Sequence, residues 1–370
     1  MIYMKGSKPH MSDCAPSDSL LVIKPTCDDA ERAARMEAVL APHLEALSAG
    51  GTAVRIIRTV DEIDLSSLAG ARILFAFCLS ASGVNMEYYR LLEFLRAHPL
   101  CLSGCIGGIL VDGGGEFYTK AIARRFAFSA NQAGCTFPGK ALVEATGSLG
   151  NFCVLSKVTQ TEPLQVYRNQ VGALIQKVLQ FKMPSDASQI LAVHASSRKT
   201  SNTLLLWDKV KSHLPEQNSI KEVSLRNGEL YDCRGCSYET CLHFGEQASC
   251  FYGGVMTEQA FPAILSSDIL VMICPNYNDA VSANLTAFIN RLTAIFRSHD
   301  FTQKRIYALI VSGYSGGDII AEQLIGALCF NKEFILPPAF AMLETANDPE
   351  SILTVPDIES KARAFAEHLR

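Results

Sequence analysis

Ile269-Leu270-Val271-Met272-Ile273-Cys274 is an unbroken apolar run, ended by the turn-like stretch Pro275-Asn276-Tyr277-Asn278-Asp279. So short and so uniformly apolar a run reads as a strand buried on both faces, in the middle of a parallel sheet covered by helices. Working outward, the second half of the chain has further strands at 189–194, 220–225, 305–312 and 333–343. Helical periodicity falls at 202–213, 254–265, 283–297, 317–328 and 358–369. Strands alternating with helices in this way predict a doubly wound α/β domain.

The first half repeats the order, with strands expected at 20–24, 53–58, 71–78, 107–112 and about 141–146. Ile73-Leu74-Phe75-Ala76-Phe77-Cys78 matches the opening run at an offset of 196, and Ile109-Leu110-Val111-Asp112-Gly113 matches Leu309-Ile310-Val311-Ser312-Gly313 at an offset of 200. Pro138 and Glu144 keep that second offset to Pro338 and Glu344. A proline and a glutamate in register with strands favour duplication over mere likeness of class. The expected architecture is two tandem flavodoxin-like domains, each a five-stranded parallel sheet flanked by helices. They are placed at 20–182 and 189–370, after a disordered tail at 1–19 and across a linker at 182–188.

The 370 residues are 48% hydrophobic and 19% charged with a net charge of −4, which suits two globular domains and gives no electrostatic reason to expect nucleic acid. No apolar run approaches the ~20 residues of a membrane span, and the N-terminal stretch lacks an apolar core of the signal-peptide kind. A cytoplasmic protein is expected. Thirteen cysteines, an odd number, argue against a disulfide framework.

In a doubly wound sheet, ligands sit at the carboxyl ends of the strands. In the second half the first such loop is Ala195-Ser196-Ser197-Arg198-Lys199-Thr200-Ser201-Asn202-Thr203. Hydroxyls, a fixed cation and a helix N-terminus together suit a phosphate, though a serine-rich helix cap without ligand is an equal reading of this loop alone. The first-half counterpart, Lys24-Pro25-Thr26-Cys27-Asp28-Asp29, carries two carboxylates that would repel one. The third-strand loop offers Pro275, Asn276, Tyr277 and Asn278 to a flat polar heterocycle. The fourth-strand loop, Ser312-Gly313-Tyr314-Ser315-Gly316-Gly317, offers backbone donors at close approach.

These loops resemble the NADPH-dependent FMN reductase family, and particularly its iron–sulfur flavoprotein branch. Residues 195–203 are similar to that family's phosphate loop, with Ala195, Ser197 and Ser201 departing from its Gly, Pro and Gly. Cys274-Pro275-Asn276-Tyr277 resembles its flavin loop, and Phe288-Ile289-Asn290-Arg291 the helix that follows, with Asn290 replacing an acid. The resemblance runs from about Ile190 to Leu343. It implies FMN, with NAD(P)H as co-substrate, bound by Ser196, Ser197, Arg198, Ser201, Asn202, Thr203, Pro275, Asn276, Tyr277, Asn278, Ser312, Gly313, Tyr314, Gly316 and Gly317. The cofactor carries the chemistry, so no catalytic side chain is assigned.

Fourteen residues separate Arg58 from Ile73, whereas forty-three separate Leu225 from Ile269. The added segment, 231–252, holds Cys233, Cys236, Cys241 and Cys250 in the spacing C-x2-C-x4-C-x8-C, a ligand set for an iron–sulfur cluster or zinc. Iron–sulfur flavoproteins carry a similar but tighter motif here, which implies a 4Fe–4S cluster; unmetallated thiols are the alternative, and His243 is more simply an exposed loop residue. The expected function is an FMN-dependent oxidoreductase passing electrons from NAD(P)H to a small acceptor or redox partner. The alternatives are an iron–sulfur flavoprotein electron carrier without its own NAD(P)H site, and a flavin-less scaffold with a zinc knuckle. The first half is expected to replace a missing subunit, as an internal pseudo-dimer that could assemble further into a homo-oligomer.

Overall fold

The computed structural model describes residues 19–184, 188–196, 200–225 and 230–369. The expected tail lies outside these residues, apart from Ser19, as does the middle of the expected linker.

The first half contains β1 (Ser19–Ile23), α1 (Ala30–Ala49), β2 (Ala53–Ile57), β3 (Arg72–Leu79), α2 (Met86–Ala97), β4 (Ile106–Gly113), α3 (Thr119–Gln132), β5 (Leu142–Ala145), α4 (Cys153–Thr159) and α5 (Pro163–Gln180). The second contains β6 (Gln189–His194), α6 (Asn202–Lys211), β7 (Ser219–Ser224), α7 (Tyr238–Glu246), α8 (Phe261–Ser266), β8 (Ile269–Pro275), α9 (Ala283–Arg291), α10 (Thr293–Phe296), β9 (Arg305–Ser312), α11 (Gly317–Leu324), β10 (Ala341–Thr345) and α12 (Ile358–His368). The sheet orders are β2-β1-β3-β4-β5 and β10-β9-β8-β6-β7, the same topology twice, with every strand pair parallel. These are two tandem flavodoxin-like α/β units.

Apolar alternation builds each sheet. Ile73, Phe75, Phe77 and Leu79 of β3 pack with residues of α2 and α3, while Leu74, Ala76 and Cys78 pack with those of α1 and α5. Asp29 caps α1 by accepting from Arg32 N (3.1 Å), and Asn85 caps α2 by accepting from Tyr88 N (3.0 Å). The repeat extends to register: Val111 pairs with Glu144 in the first sheet and Val311 with Glu344 in the second. Between β3–β4 and β8–β9 the pairing differs by two residues, Ile73 with Gly107 against Ile269 with Arg305. A two-residue slide keeps each side chain on its own face, so both cores survive it.

The structure corrects several expected elements. The run 333–343 is not one strand. Ile335 and Leu336 make isolated bridges to Arg305 and Phe137, and β10 begins only at Ala341. The helix expected at 283–297 breaks at Leu292 into α9 and α10. Those at 254–265 and 317–328 include π-helical turns, Met256–Ala260 and Ile325–Phe330. Among the described residues no helix is long and apolar enough to cross a membrane.

The two halves share one seam. Phe137 and Leu336 exchange backbone hydrogen bonds of 2.9 Å in each direction, and Lys140 N donates to Cys329 O at 2.9 Å. Buried Asn131 donates to Cys135 O (3.1 Å) and Pro337 O (2.5 Å) and accepts from Phe340 N (3.1 Å). One cluster of buried apolar residues runs through the seam from Phe75, Phe126 and Phe137 to Leu328, Phe334 and Phe340.

Candidate functional site

The carboxyl ends of β6, β8, β9 and β10 surround a cavity of about 820 Å³, large enough for a nucleotide. Its lining comes from four loops. The first contributes Ser196, Ser201, Asn202 and Thr203. Ser201 is the N-cap of α6 but its side chain caps no backbone N–H; its hydroxyl lies 3.0 Å from Thr203 Oγ1, which is 3.3 Å from Ser196 Oγ. Among the described residues no side chain caps the first-turn N–H groups of α6, which lie beside three clustered hydroxyls at the positive end of the helix dipole. Ser197 and Arg198, also expected here, lie outside the described residues.

Asn202 lines the cavity, yet its amide is committed to the protein. It donates to Ala346 O (3.0 Å) and Asp348 O (2.9 Å), and its Oδ1 accepts from Ile352 N (3.3 Å). It thereby fastens the loop after β10 over the N-terminus of α6. That loop adds Ala346, Asn347 and Pro349 to the lining, none of which was expected from sequence. The turn-forming run Asn347-Asp348-Pro349 after the last strand was the available signal.

The third and fourth loops are tied together by Asn276. Its Nδ2 is within reach of Ser315 O (2.7 Å), Ser312 Oγ (3.1 Å) and Asp279 Oδ1 (3.2 Å), and its Oδ1 accepts from Asp279 N (2.9 Å). Asn278 and Asp279 both have positive φ, 56° and 55°. Pro275, Asn276, Tyr277, Asn278, Gly313 and Tyr314 all line the cavity. Tyr277 and Tyr314 are 63% and 82% exposed, so neither ring is held by packing and both are free to cover a planar ligand.

Ser312, Gly316 and Gly317 do not line the cavity; they shape it. Ser312 is buried and accepts from Asn276. Gly316 has φ of 83°, and a Cβ there would fall 1.9 Å from Asp279 Oδ1. Gly316→Ala should push the third loop from the fourth, lowering FMN affinity at least tenfold and stability by about 1–3 kcal/mol. Flavin titration and thermal melting of the variant check this. Cys274, at the end of β8, is wholly buried, and burial pushes its thiol up to about 12, so it stays protonated beside the site.

A ligand set of backbone donors at a helix N-terminus, hydroxyls and exposed aromatic rings, on three adjacent rim loops, is the donor chemistry a flavin nucleotide requires. The sequence comparison agrees. Residues 188–348 match the family model of NADPH-dependent FMN reductase. That match supports an NAD(P)H-dependent flavin reductase activity for the second domain. No curated protein matches the chain. Among solved structures it is similar to the Trp repressor binding protein of Bacillus subtilis, at 18% identity and TM-score 0.33, covering 48% of this chain and 96% of that one. It is also similar to RosB with a bound 8-demethyl-8-formylriboflavin-5'-phosphate intermediate, at 18% identity and TM-score 0.36, covering 49% and 77%. A third is the NAD(P)H:quinone oxidoreductase of Methanothermobacter marburgensis, at 17% identity and TM-score 0.34, covering 49% and 94%.

The FMN-reductase-like rim is open where its counterpart in the first half is closed. There Arg35 of α1 lays its guanidinium across the ends of β4 and β5. It pairs with buried Asp112 and donates to Gly147 O (2.9 Å), Gly113 O (3.1 Å) and Thr146 O (3.2 Å). Tyr167 adds a hydrogen bond to Asp112 (3.1 Å). The fourth-strand loop lies directly on the third: Gly114 N donates to Leu79 O (3.0 Å), and a Cβ on Gly114 would meet Ala81 N at 2.6 Å. Asp112 occupies the position of Ser312, so the change from hydroxyl to carboxylate accompanies the filling of the rim by protein.

The four expected metal ligands come together more loosely. Cys233, Cys236, Cys241 and Cys250 all line one small cavity of about 80 Å³, with Cys241 carried on α7. Among the described residues, however, no group of three or more Cys, His, Asp or Glu is arranged to hold a metal ion, so the expected ligand set is not preformed. The described cysteines are free thiols.

Proposed function

We propose that the chain is an FMN-dependent oxidoreductase that takes electrons from NAD(P)H and delivers them to a small acceptor or redox partner. The observation that carries this reading is the convergence of four rim loops on one cavity at the N-terminus of α6, where the Ser201 side chain caps no backbone N–H, within the segment matching the FMN reductase family. When bound, FMN supplies hydride acceptance and onward electron transfer. The chain's own part is to bind and orient. The α6 N-terminus with Ser196, Ser201 and Thr203 receives the phosphate, Asn276 and Asn202 hold the loops in place, and Tyr277 and Tyr314 cover the ring system.

Replacing Ser201 and Thr203 together, by Ala and Val, removes two hydroxyl donors to a charged acceptor. At about 1.5–3 kcal/mol each when fully realised, the pair should weaken FMN binding by at least tenfold. Quenching of flavin fluorescence on titration reads this, and the wild-type chain under the same conditions should oxidise NAD(P)H. Wild-type protein that binds no FMN would defeat the proposal.

The second reading is an iron–sulfur flavoprotein that carries electrons without an NAD(P)H site of its own. The four cysteines lining one cavity favour it. It predicts a flavin reduced by a ferredoxin-like donor and not by NAD(P)H. In either case we assign the first half the place of a second subunit, supported by the shared seam at Phe137 and Leu336 and by its closed rim.

A further inference from the structure

A separate cavity of about 210 Å³ lies where α3 of the first half meets α11 and the π-helical turn Ile325–Phe330 of the second. The first half lines it with Lys120 and Arg124, one turn apart on α3, so two like charges share one face. Across from them stand the amides of Gln323 and Asn331, and among the described residues no carboxylate lines the cavity. Lys120 is 60% exposed and pairs with Glu144 at 3.4 Å, a contact with which water competes. Arg124 Nε is buried and meets no acceptor among the described residues. Glu322, the α11 carboxylate that feels Arg124, lines the adjoining groove and pairs with Arg125 at 3.7 Å.

A guanidinium stays protonated in any protein and offers five donors in a planar fork. A buried donor left unsatisfied costs free energy, which an anion in the cavity would recover. The second half makes room for that arginine. A Cβ on Gly326 would stand 2.5 Å from Arg124 Cδ, so glycine is what lets the stem cross the helix and reach the cavity. Gly326 sits in the π-helical turn, and such turns recur at functional sites. The volume is below the roughly 300–1,000 Å³ of pockets that enclose a whole ligand, and suits a single charged group.

We propose that this cavity is a binding site for a phosphate group, held by Arg124 and Lys120 of the first half against Asn331 of the second. The guanidinium fork and the lysine point charge together match a tetrahedral dianion. Because both halves supply the lining, an occupied site adds a tie across the seam. Gln323 ends next to the flavin loop, accepting from Val281 N and donating to Asp279 O, both at 3.0 Å. The phosphate is either free or the 2'-phosphate of NADPH, and only the second source rests on the function proposed above.

Calorimetric titration with inorganic phosphate, replacing chloride at constant ionic strength, tests the site. FMN-saturated full-length protein is used, so that a flavin phosphate already fills the α6 N-terminus. If no FMN is retained, the Ser201→Ala, Thr203→Val protein removes that competing site, and failure of the flavin reading stays distinct from failure of this one. Wild type should bind phosphate saturably. Arg124→Gln should bind it about 10–100-fold more weakly, the span of a charge-assisted hydrogen bond, with Arg124→Lys between and a smaller loss for Lys120→Gln. Phosphate should raise the melting temperature of wild type and not of Arg124→Gln. An arginine that only packs on Gly326 would instead lower the melting temperature equally in chloride and phosphate and leave phosphate affinity unchanged. That result, or a wild type without saturable binding, overturns the proposal. Should Arg124→Gln fail to fold, Lys120→Gln and Arg124→Lys supply the comparison. Competition separates the sources: NADP+ but not NAD+ displaces phosphate if the nucleotide is the ligand, and neither does if the anion is free.

Discussion

Arg35→Ala destabilises the first domain by about 3–5 kcal/mol, the cost of leaving one partner of a buried ion pair uncompensated. Asp112 is wholly buried and Arg35 is its charge partner, with Tyr167 the other hydrogen-bonding side chain. Burial already pushes the Asp112 carboxyl above the usual carboxylate range, against the opposing pull of Arg35. Without the guanidinium it rises further, and the carbonyls of Gly113, Thr146 and Gly147 lose a shared donor. Urea denaturation followed by fluorescence measures the loss. Replacing both partners with apolar residues of similar volume, Arg35→Met with Asp112→Leu, should recover most of it, since a buried pair is worth little against well-packed hydrophobic groups. If Arg35→Ala costs less than 1 kcal/mol, the closed rim does not depend on this pair.

Asn131→Ala loosens the seam by about 3 kcal/mol or more. The buried amide spans both halves, and truncating it leaves Phe340 N–H without an acceptor and removes a donor from Cys135 O and Pro337 O. Each buried group left unsatisfied costs about 1–3 kcal/mol. Because Phe334, Leu336 and Phe340 belong to the shared apolar cluster, loosening the seam also hydrates apolar surface. The expected result is a lower melting temperature and faster proteolysis between the halves. A seam that matters to the flavin site should lower FMN retention in the same variant, and unchanged retention would mean that the second half holds its site unaided.

The parallel strands were readable because burial on both faces leaves a nearly continuous apolar run, as in 73–78 and 269–274. The same signal misled at 333–343. Leu336 is apolar where it pairs with Phe137 of the other half, while Ile335 bridges Arg305 at the start of β9 and Phe334 packs on Phe301, so the run is buried without continuing β10. Helix breaks at Leu292 and the π-helical turns left no mark, since a change of hydrogen-bonding pattern inside a helix leaves its apolar stripe almost intact. At the site, Ser196, Ser201 and Thr203 were found from a hydroxyl-rich loop before a helix. Asn347 and Pro349 were not, because the loop that carries them reaches the cavity through Asn202, far away in sequence.

The amino-acid sequence by itself determined the class of the fold, its repetition and which half carries hydroxyls in place of carboxylates in the first rim loop. Each of these depends on local pattern: apolar runs, constant offsets, and hydroxyls set against carboxylates in equivalent loops. Only the tertiary structure decided how the rims differ. Arg35 closes one from the side of α1, while Asn276 and Gly316 hold the other open through contacts between separate loops. The burial of Arg291 beside four cysteines, with Nη2 on Gly253 O and Nε and Nη1 without an acceptor among the described residues, is of the same kind, a property of what surrounds it in space that no spacing along the chain records.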